Sequence, residues 1–177
     1  MGSSYSTIVI DSPCALIIIV IKVIFLDMAF SEIDTFFMRR ALELGRGAKG
    51  RTFPNPAVGA VVVGVDGKII GEGATGMYGG PHAEKTALAK AKEAARGATL
   101  YVTLEPCPMC AGAIVNSRIR RVIFGAHDPK SGAFGSVFDM NSFSLNHKPE
   151  IIPGVLESEC SKELSSFFAR LREKKNT

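Results

Sequence analysis

The sequence predicts an α/β fold: a three-layer α-β-α sandwich around a mixed five-stranded sheet. Three observations predict it. Beyond Ser31 the 177-residue chain alternates helical periodicity with short β-branched runs, in the order α-β-β-α-β-α-β-β-α. Asp66-Gly67 separates two apolar runs and signals a tight hairpin. The run Ala98-Thr-Leu-Tyr-Val-Thr-Leu104 is β-branched and apolar, as a buried strand between helices requires.

Each element follows from local chemistry. Ser31 to Gly45 places Ile33, Phe36, Phe37, Ala41 and Leu44 at helical spacing, with Ser31 as N-cap and Gly45 as stop. A polar Gly/Pro loop covers Gly47 to Pro56. Ala57 to Val65 and Lys68 to Gly73 are the two strands of the hairpin. Gly73 to Gly80 is glycine-rich and precedes His82, so it is expected to line the mouth of a site. Lys85 to Arg96 is rich in Ala and Lys, a strong helix composition. Glu105-Pro106 ends the strand at 98–104, and Cys110 to Ser117 is a helix. Arg120 to Gly125 is a strand, Ala126 to Ser136 a loop, Glu150 to Leu156 a short last strand and Ser158 to Lys174 the final helix.

Length and apolar content fit one domain with one core. The net charge of +4 is mildly basic, compatible with a polyanionic partner and equally with a solvated basic surface. The four cysteines show no paired framework, which fits a reducing, cytoplasmic setting. Cys160 reads as a small core residue of the last helix.

The chemistry concentrates in two segments, Pro81-His82-Ala83-Glu84 and Glu105-Pro106-Cys107-Pro108-Met109-Cys110. Cysteines three apart in a first helical turn share one face. A helix N-terminus favours their thiolate forms. Two thiolates and an imidazole hold Zn²⁺ with a fourth position open to water, whose pKa the metal lowers. A carboxylate two residues beyond the histidine reaches that water without ligating the metal. A redox pair would explain Cys107 and Cys110 but neither His82 nor Glu84. The H-x-E and P-C-x-x-C segments together resemble the signature of zinc-dependent base deaminases.

Longer stretches carry a wider resemblance. Ala98 to Ile114, Asn116 to Ala126, Asp128 to Ser136, Leu145-Asn-His-Lys148 and Phe167 to Arg172 are similar to the cytidine-deaminase superfamily, most of all to bacterial tRNA-specific adenosine deaminases. Pro54-Asn-Pro-Ala-Val-Gly-Ala-Val-Val-Val63 and Gly80-Pro-His-Ala-Glu84 look more like the deaminase domain of riboflavin biosynthesis. The resemblance implies a cytidine-deaminase-like fold over 28–177 and one Zn²⁺ per subunit on His82, Cys107 and Cys110. It implies Glu84 as the proton carrier and a homodimer. It also implies the Ala83 N–H as a donor to the base edge and Asp128 as an acceptor for a ribose hydroxyl. Where related tRNA deaminases have a base-binding asparagine this chain has Thr75, and Asn55 is the alternative source of the amide. Arg118, Arg120, Arg121, Lys130, Arg170, Arg172, Lys174 and Lys175 are candidate phosphate contacts.

The implied activity is hydrolysis of adenosine to inosine in the anticodon loop of tRNA, at the wobble position. Two alternatives stay open. One is a deaminase of a riboflavin-pathway aminopyrimidine or of a nucleobase such as guanine or cytosine. The other is a noncatalytic zinc-fold subunit.

Residues 1–27 differ from the rest. Cys14 to Leu26 is apolar but interrupted by Lys22 and shorter than the roughly 20 residues of a spanning helix. Three readings stand: an upstream start ahead of translation from Met28, an added strand or hydrophobic arm, or a membrane anchor. No membrane association is expected from the remainder.

Overall fold

The computed structural model describes residues 31–175, with side chains through Arg172. The hydrophobic segment at 1–27 and the side chains of Lys174 and Lys175 lie outside the described residues. The order of elements is α1 (Glu32–Ala48), β1 (Gly59–Val63), β2 (Ile69–Ala74), α2 (Ala83–Ala91), β3 (Thr99–Leu104), α3 (Pro108–Asn116), β4 (Arg121–Ala126), β5 (Glu150–Pro153) and α4 (Glu157–Lys175). Short 3₁₀ turns follow α2 at Lys92–Ala95 and precede β5 at Met140–Ser142.

The five strands form one sheet in the order β2-β1-β3-β4-β5. β2 and β3 run antiparallel to β1, whereas β3, β4 and β5 are mutually parallel. The mixture has a simple cause. The Asp66-Gly67 turn, with Gly67 at φ 78°, reverses the chain between β1 and β2. The later strands are joined by crossovers.

The central strands are buried on both faces. Ala60, Val62, Leu100, Val102, Val122 and Phe124 face α2 and α3, where Ala83, Ala87, Leu88, Ala111 and Ile114 complete one core layer. Met38, Ala41 and Leu42 of α1 cover the opposite face, with α4 beside β4. Glycines on the strands let helices approach closely. A Cβ on Gly59 would fall 1.9 Å from the Ala41 carbonyl oxygen, and one on Gly73 would fall 2.1 Å from that of Ala83.

Some expected boundaries change. α1 buries Phe37, Met38, Ala41, Leu42, Gly45 and Ala48, whereas Ile33 and Phe36 face outward. Gly45 does not stop the helix. It sits inside it, where a Cβ would crowd the Ala57 carbonyl at 3.0 Å. The helix expected over 85–96 begins at Ala83 and ends at Ala91, because Lys92 takes a positive φ of 50°; a short 3₁₀ turn follows. β5 ends at Pro153, since Gly154 turns the chain into α4.

Candidate active site

Two helix N-termini meet at the C-terminal end of β3. His82 is the N-cap of α2 and Cys107 the N-cap of α3, with Pro108 at its first turn. Both cap residues are extended, which turns their side chains across the helix ends rather than along them. His82 Nδ1 lies 3.6 Å from Cys107 Sγ and 3.4 Å from Cys110 Sγ. The ligand atoms of all three residues lie within 4.8 Å of one another.

That spacing fits zinc. Tetrahedral zinc takes thiolate at about 2.3 Å and imidazole nitrogen at about 2.0–2.1 Å, which puts N and S roughly 3.5–3.6 Å apart. Among the described residues no fourth His, Cys, Asp or Glu joins this two-sulfur, one-nitrogen donor set, which matches the three-ligand pattern of catalytic zinc sites. Of the two thiols, Cys107 is poised for zinc. The hydrogen bond from Cys110 and the N–H groups of the α3 first turn bring Cys107 down to about 5. Cys110, donating to that thiolate and buried, is pushed up.

Glu84 stands one helical step beyond His82 and is 4 % exposed. Burial raises its carboxyl to about 7, only partly opposed by its own backbone N–H and by His82. A carboxyl near neutrality can both take and return a proton at working pH.

These groups open into a pocket of about 590 Å³. Its walls include Asn55, Thr75, Leu104, Glu105, His127, Asp128, Lys130, Leu164, Phe168 and Arg172 as well as His82, Glu84 and Cys107. Asn55 therefore reaches the site, and its amide has no hydrogen-bond partner among the described residues. Its backbone N–H closes a turn onto Thr52 at 2.8 Å. Thr75 lines the same wall, but its hydroxyl is occupied: it accepts from the Val58 N–H at 3.0 Å and faces the Val58 carbonyl at 3.4 Å. Of the glycine-rich stretch 73–80, only Thr75 lines the pocket, and Met77 and Tyr78 point to solvent. Ala83 is fully buried at the first turn of α2, where N–H groups lack intrahelical acceptors.

Asp128 borders the pocket, with its carboxylate already engaged. Oδ1 accepts from the N–H groups of Lys130 at 3.0 Å and Ser131 at 3.2 Å, and Oδ2 accepts from the Ser131 hydroxyl at 2.5 Å. Among the basic candidates, Lys130 and Arg172 line the pocket, and Lys130 sits 5.6 Å over the Phe168 ring. Arg121 is instead paired with Glu150 at 3.5 Å, and Arg118 donates to the Asn146 carbonyl at 2.8 Å. Arg170 donates to the Ser166 carbonyl of its own helix.

Glu105, read in the sequence only as the end of a strand, has a larger part. Its side chain is fully buried. Burial alone would raise its carboxyl, but the Ser136 hydroxyl and three backbone N–H groups outweigh burial and hold it below the usual carboxylate range. The wall supplied by Leu164 and Phe168 of α4 was also not assigned in the sequence. The paired Phe167-Phe168 near the chain end was its available signal.

Comparison with known proteins agrees with this geometry. The family described as the cytidine and deoxycytidylate deaminase zinc-binding region matches residues 31–126. A tRNA-specific adenosine deaminase of Haemophilus influenzae is 46 % identical over 155 residues, covering 82 % of this chain and 88 % of that protein. A solved structure from a study of A-to-I editing by tRNA:A34 deaminases at the wobble position is 40 % identical with a TM-score of 0.62, covering 73 % of this chain and 99 % of that one. Acinetobacter baumannii RibD is 36 % identical with a TM-score of 0.68, covering 77 % of this chain. This chain spans only 39 % of that RibD chain. The chain belongs to the cytidine and deoxycytidylate deaminase zinc-binding family.

Proposed function

We propose that this protein deaminates adenosine to inosine in tRNA, at the wobble position of the anticodon. The observation that carries the proposal is the pairing of a Cys₂His group with a buried Glu84 under a wide pocket rimmed by Lys130, Arg172 and Phe168. Bases held out of a stack need an aromatic face, and their backbone needs cations. The relatives named above support the same substrate.

His82 Nδ1, Cys107 Sγ and Cys110 Sγ hold zinc in this reading. Bound zinc supplies Lewis acidity and makes water a nucleophile near neutral pH. Glu84 takes a proton from the attacking water on its carboxylate and delivers it to the ring nitrogen beside the reacting carbon. It then assists departure of the amine as ammonia. Water gives its oxygen to C6 and its hydrogens to the base and the leaving amine, so adenosine becomes inosine. Asn55 and the Ala83 N–H orient the base edge. Asp128 keeps lone pairs for a ribose hydroxyl beyond the three donors it already holds.

A second reading has its own observation. The free amide in the pocket comes from Asn55, in the segment that looks like the riboflavin-pathway deaminases, while Thr75 is tied to Val58. This favours a ribosylated aminopyrimidine as substrate. The catalytic domain in either reading is 28–177, working in the cytoplasm as a homodimer. Among the described residues no helix is long and apolar enough to cross a membrane.

The test is inosine formation in an anticodon stem-loop by zinc-loaded protein beside Glu84→Ala. Inosine that depends on Glu84 supports RNA editing. Absence of inosine from folded, zinc-loaded protein moves the assignment to the aminopyrimidine.

A further inference from the structure

Glu105 and His127 of the pocket wall form, with Ser136, a polar cluster that the mechanism above leaves unused. Every contact to the Glu105 carboxylate from the backbone is a donor. Oε1 accepts from the N–H groups of Phe134 at 2.9 Å and Ser136 at 3.1 Å, and Oε2 accepts from the Asp128 N–H at 3.1 Å. A carboxyl group ringed by donors is an acceptor at both oxygens. The Ser136 hydroxyl also contacts Oε2, so its one hydrogen points there.

That commitment fixes the imidazole. His127 Nδ1 lies 3.2 Å from Ser136 Oγ and 3.4 Å from Glu105 Oε2. Ser136 has only lone pairs left to offer and Glu105 has nothing else. Two acceptors facing one ring nitrogen require that nitrogen to carry the hydrogen. In a neutral imidazole Nε2 is then bare. Phe124 stands at 86° to the ring with centroids 5.1 Å apart and holds its plane. Nε2 has no hydrogen-bond partner among the described residues. The side chain is 48 % exposed and borders the pocket beside Asp128. The cluster is not a hydrolytic triad. In a triad serine and acid meet opposite ring nitrogens, whereas here both meet Nδ1.

We infer that His127 offers Nε2 to the pocket as an acceptor for a ribose hydroxyl of the ligand, and that Ser136 and Glu105 are positioning residues that fix its tautomer. A bare nitrogen needs a donor. Phosphate oxygens and base carbonyls would meet it lone pair to lone pair. The target amine is committed to the reacting carbon beside His82 and Glu84. Base N–H groups beside the target and sugar hydroxyls are the remaining donors, and a sugar hydroxyl is the one present whatever the neighbouring base, both in RNA and in a ribosylated aminopyrimidine. The inference rests on the proposed function only in requiring a ribose.

Two measurements test it. The first is the ¹⁵N spectrum of the imidazoles in zinc-loaded protein at about pH 8, above the ordinary titration range of histidine. Only three histidines are present, and His127→Phe assigns its signal by loss. The expected result is the Nδ1–H form, shifting toward a mixture in Ser136→Ala. An Nε2–H form in the unmodified protein overturns the inference whatever the substrate is. The second compares His127→Phe with the unmodified enzyme on stem-loops that carry or lack 2′-hydroxyls at and beside the target. KM is expected to rise about tenfold on the ribose substrate, the size of one lost hydrogen bond. Little change is expected in kcat, and little in KM where the hydroxyl is missing. Equal effects on both substrates overturn the inference. If the unmodified protein makes no inosine, the RNA reading fails. The same comparison then uses ribosylated against sugar-free aminopyrimidine, where unequal effects support the inference and equal effects overturn it.

Discussion

Gly132 lies directly against the buried carboxylate of Glu105: a Cβ at 132 would fall 2.3 Å from Glu105 Cδ and 2.4 Å from Oε2. The loop after β4 can wrap this carboxylate only because residue 132 has no side chain. Gly132→Ala forces either the loop or the carboxylate to move. The expected cost is about 1–3 kcal/mol, the range for overpacking a closed site. Urea denaturation measures it. Faster exchange of the Asp128, Phe134 and Ser136 amides is expected with it, and unchanged exchange would contradict the clamp.

Replacing Glu84 with Gln should leave zinc content at one per chain while lowering turnover by about 10²–10⁴, the range of one general acid–base group. Metal analysis and steady-state kinetics on the same sample separate the two. Zinc lost together with activity would place Glu84 in the ligand set instead.

Among the described residues, removal of zinc should expose one thiol selectively. Cys107 is partly accessible and brought down to about 5 by its Cys110 and helix N-terminal hydrogen bonds, so it is largely thiolate at neutral pH. Cys160 is buried against Gly125, and burial pushes it up to about 12. Alkylation followed by peptide mass mapping should label Cys107 quickly in chelated protein, slowly in zinc-loaded protein, and Cys160 in neither. Rapid labelling of Cys107 with zinc bound would contradict its role as a ligand.

Glu163 ties α4 to the end of α1 through Arg46 at 2.7 Å and through Lys49. Burial alone would raise its carboxyl, but the hydrogen bonds from Lys49 and Arg46 outweigh it and depress the folded value. A depressed carboxyl stabilises the fold above its unfolded pKa, and that stability is lost as pH falls through the folded value. Glu163→Gln should therefore cost up to about 1 kcal/mol near pH 7, since the cations are solvent-screened. The difference should fade as pH falls through the depressed folded value. Urea midpoints of both proteins across that window check the sign. A difference that grows on acidification would contradict it.

Much of this architecture was legible because its causes are local. The Asp66-Gly67 turn, the β-branched run of β3 and the two ligand segments each act within a few residues. That His82, Cys107 and Cys110 come together was readable because each sits at the start of a helix. What escaped depends on long-range contact. Glu105 looks like punctuation before Pro106, yet its donors come from 23 to 31 residues away. Phe168 reaches the pocket only because α4 packs beside β4. Ile33 and Phe36 show the converse: they fit an apolar stripe in sequence, but the buried face of α1 runs through Phe37, Met38 and Ala41. Thr75 occupies the place expected of a base reader, but the Val58 backbone claims its hydroxyl.

The most direct measurement of the central claim is a competition. Zinc-loaded protein is given an anticodon stem-loop and a ribosylated aminopyrimidine together, and both products are followed by mass spectrometry, with Glu84→Ala as control. The expected result is inosine at the wobble position, dependent on Glu84, with the aminopyrimidine untouched. Deamination of the aminopyrimidine with no inosine would contradict the account.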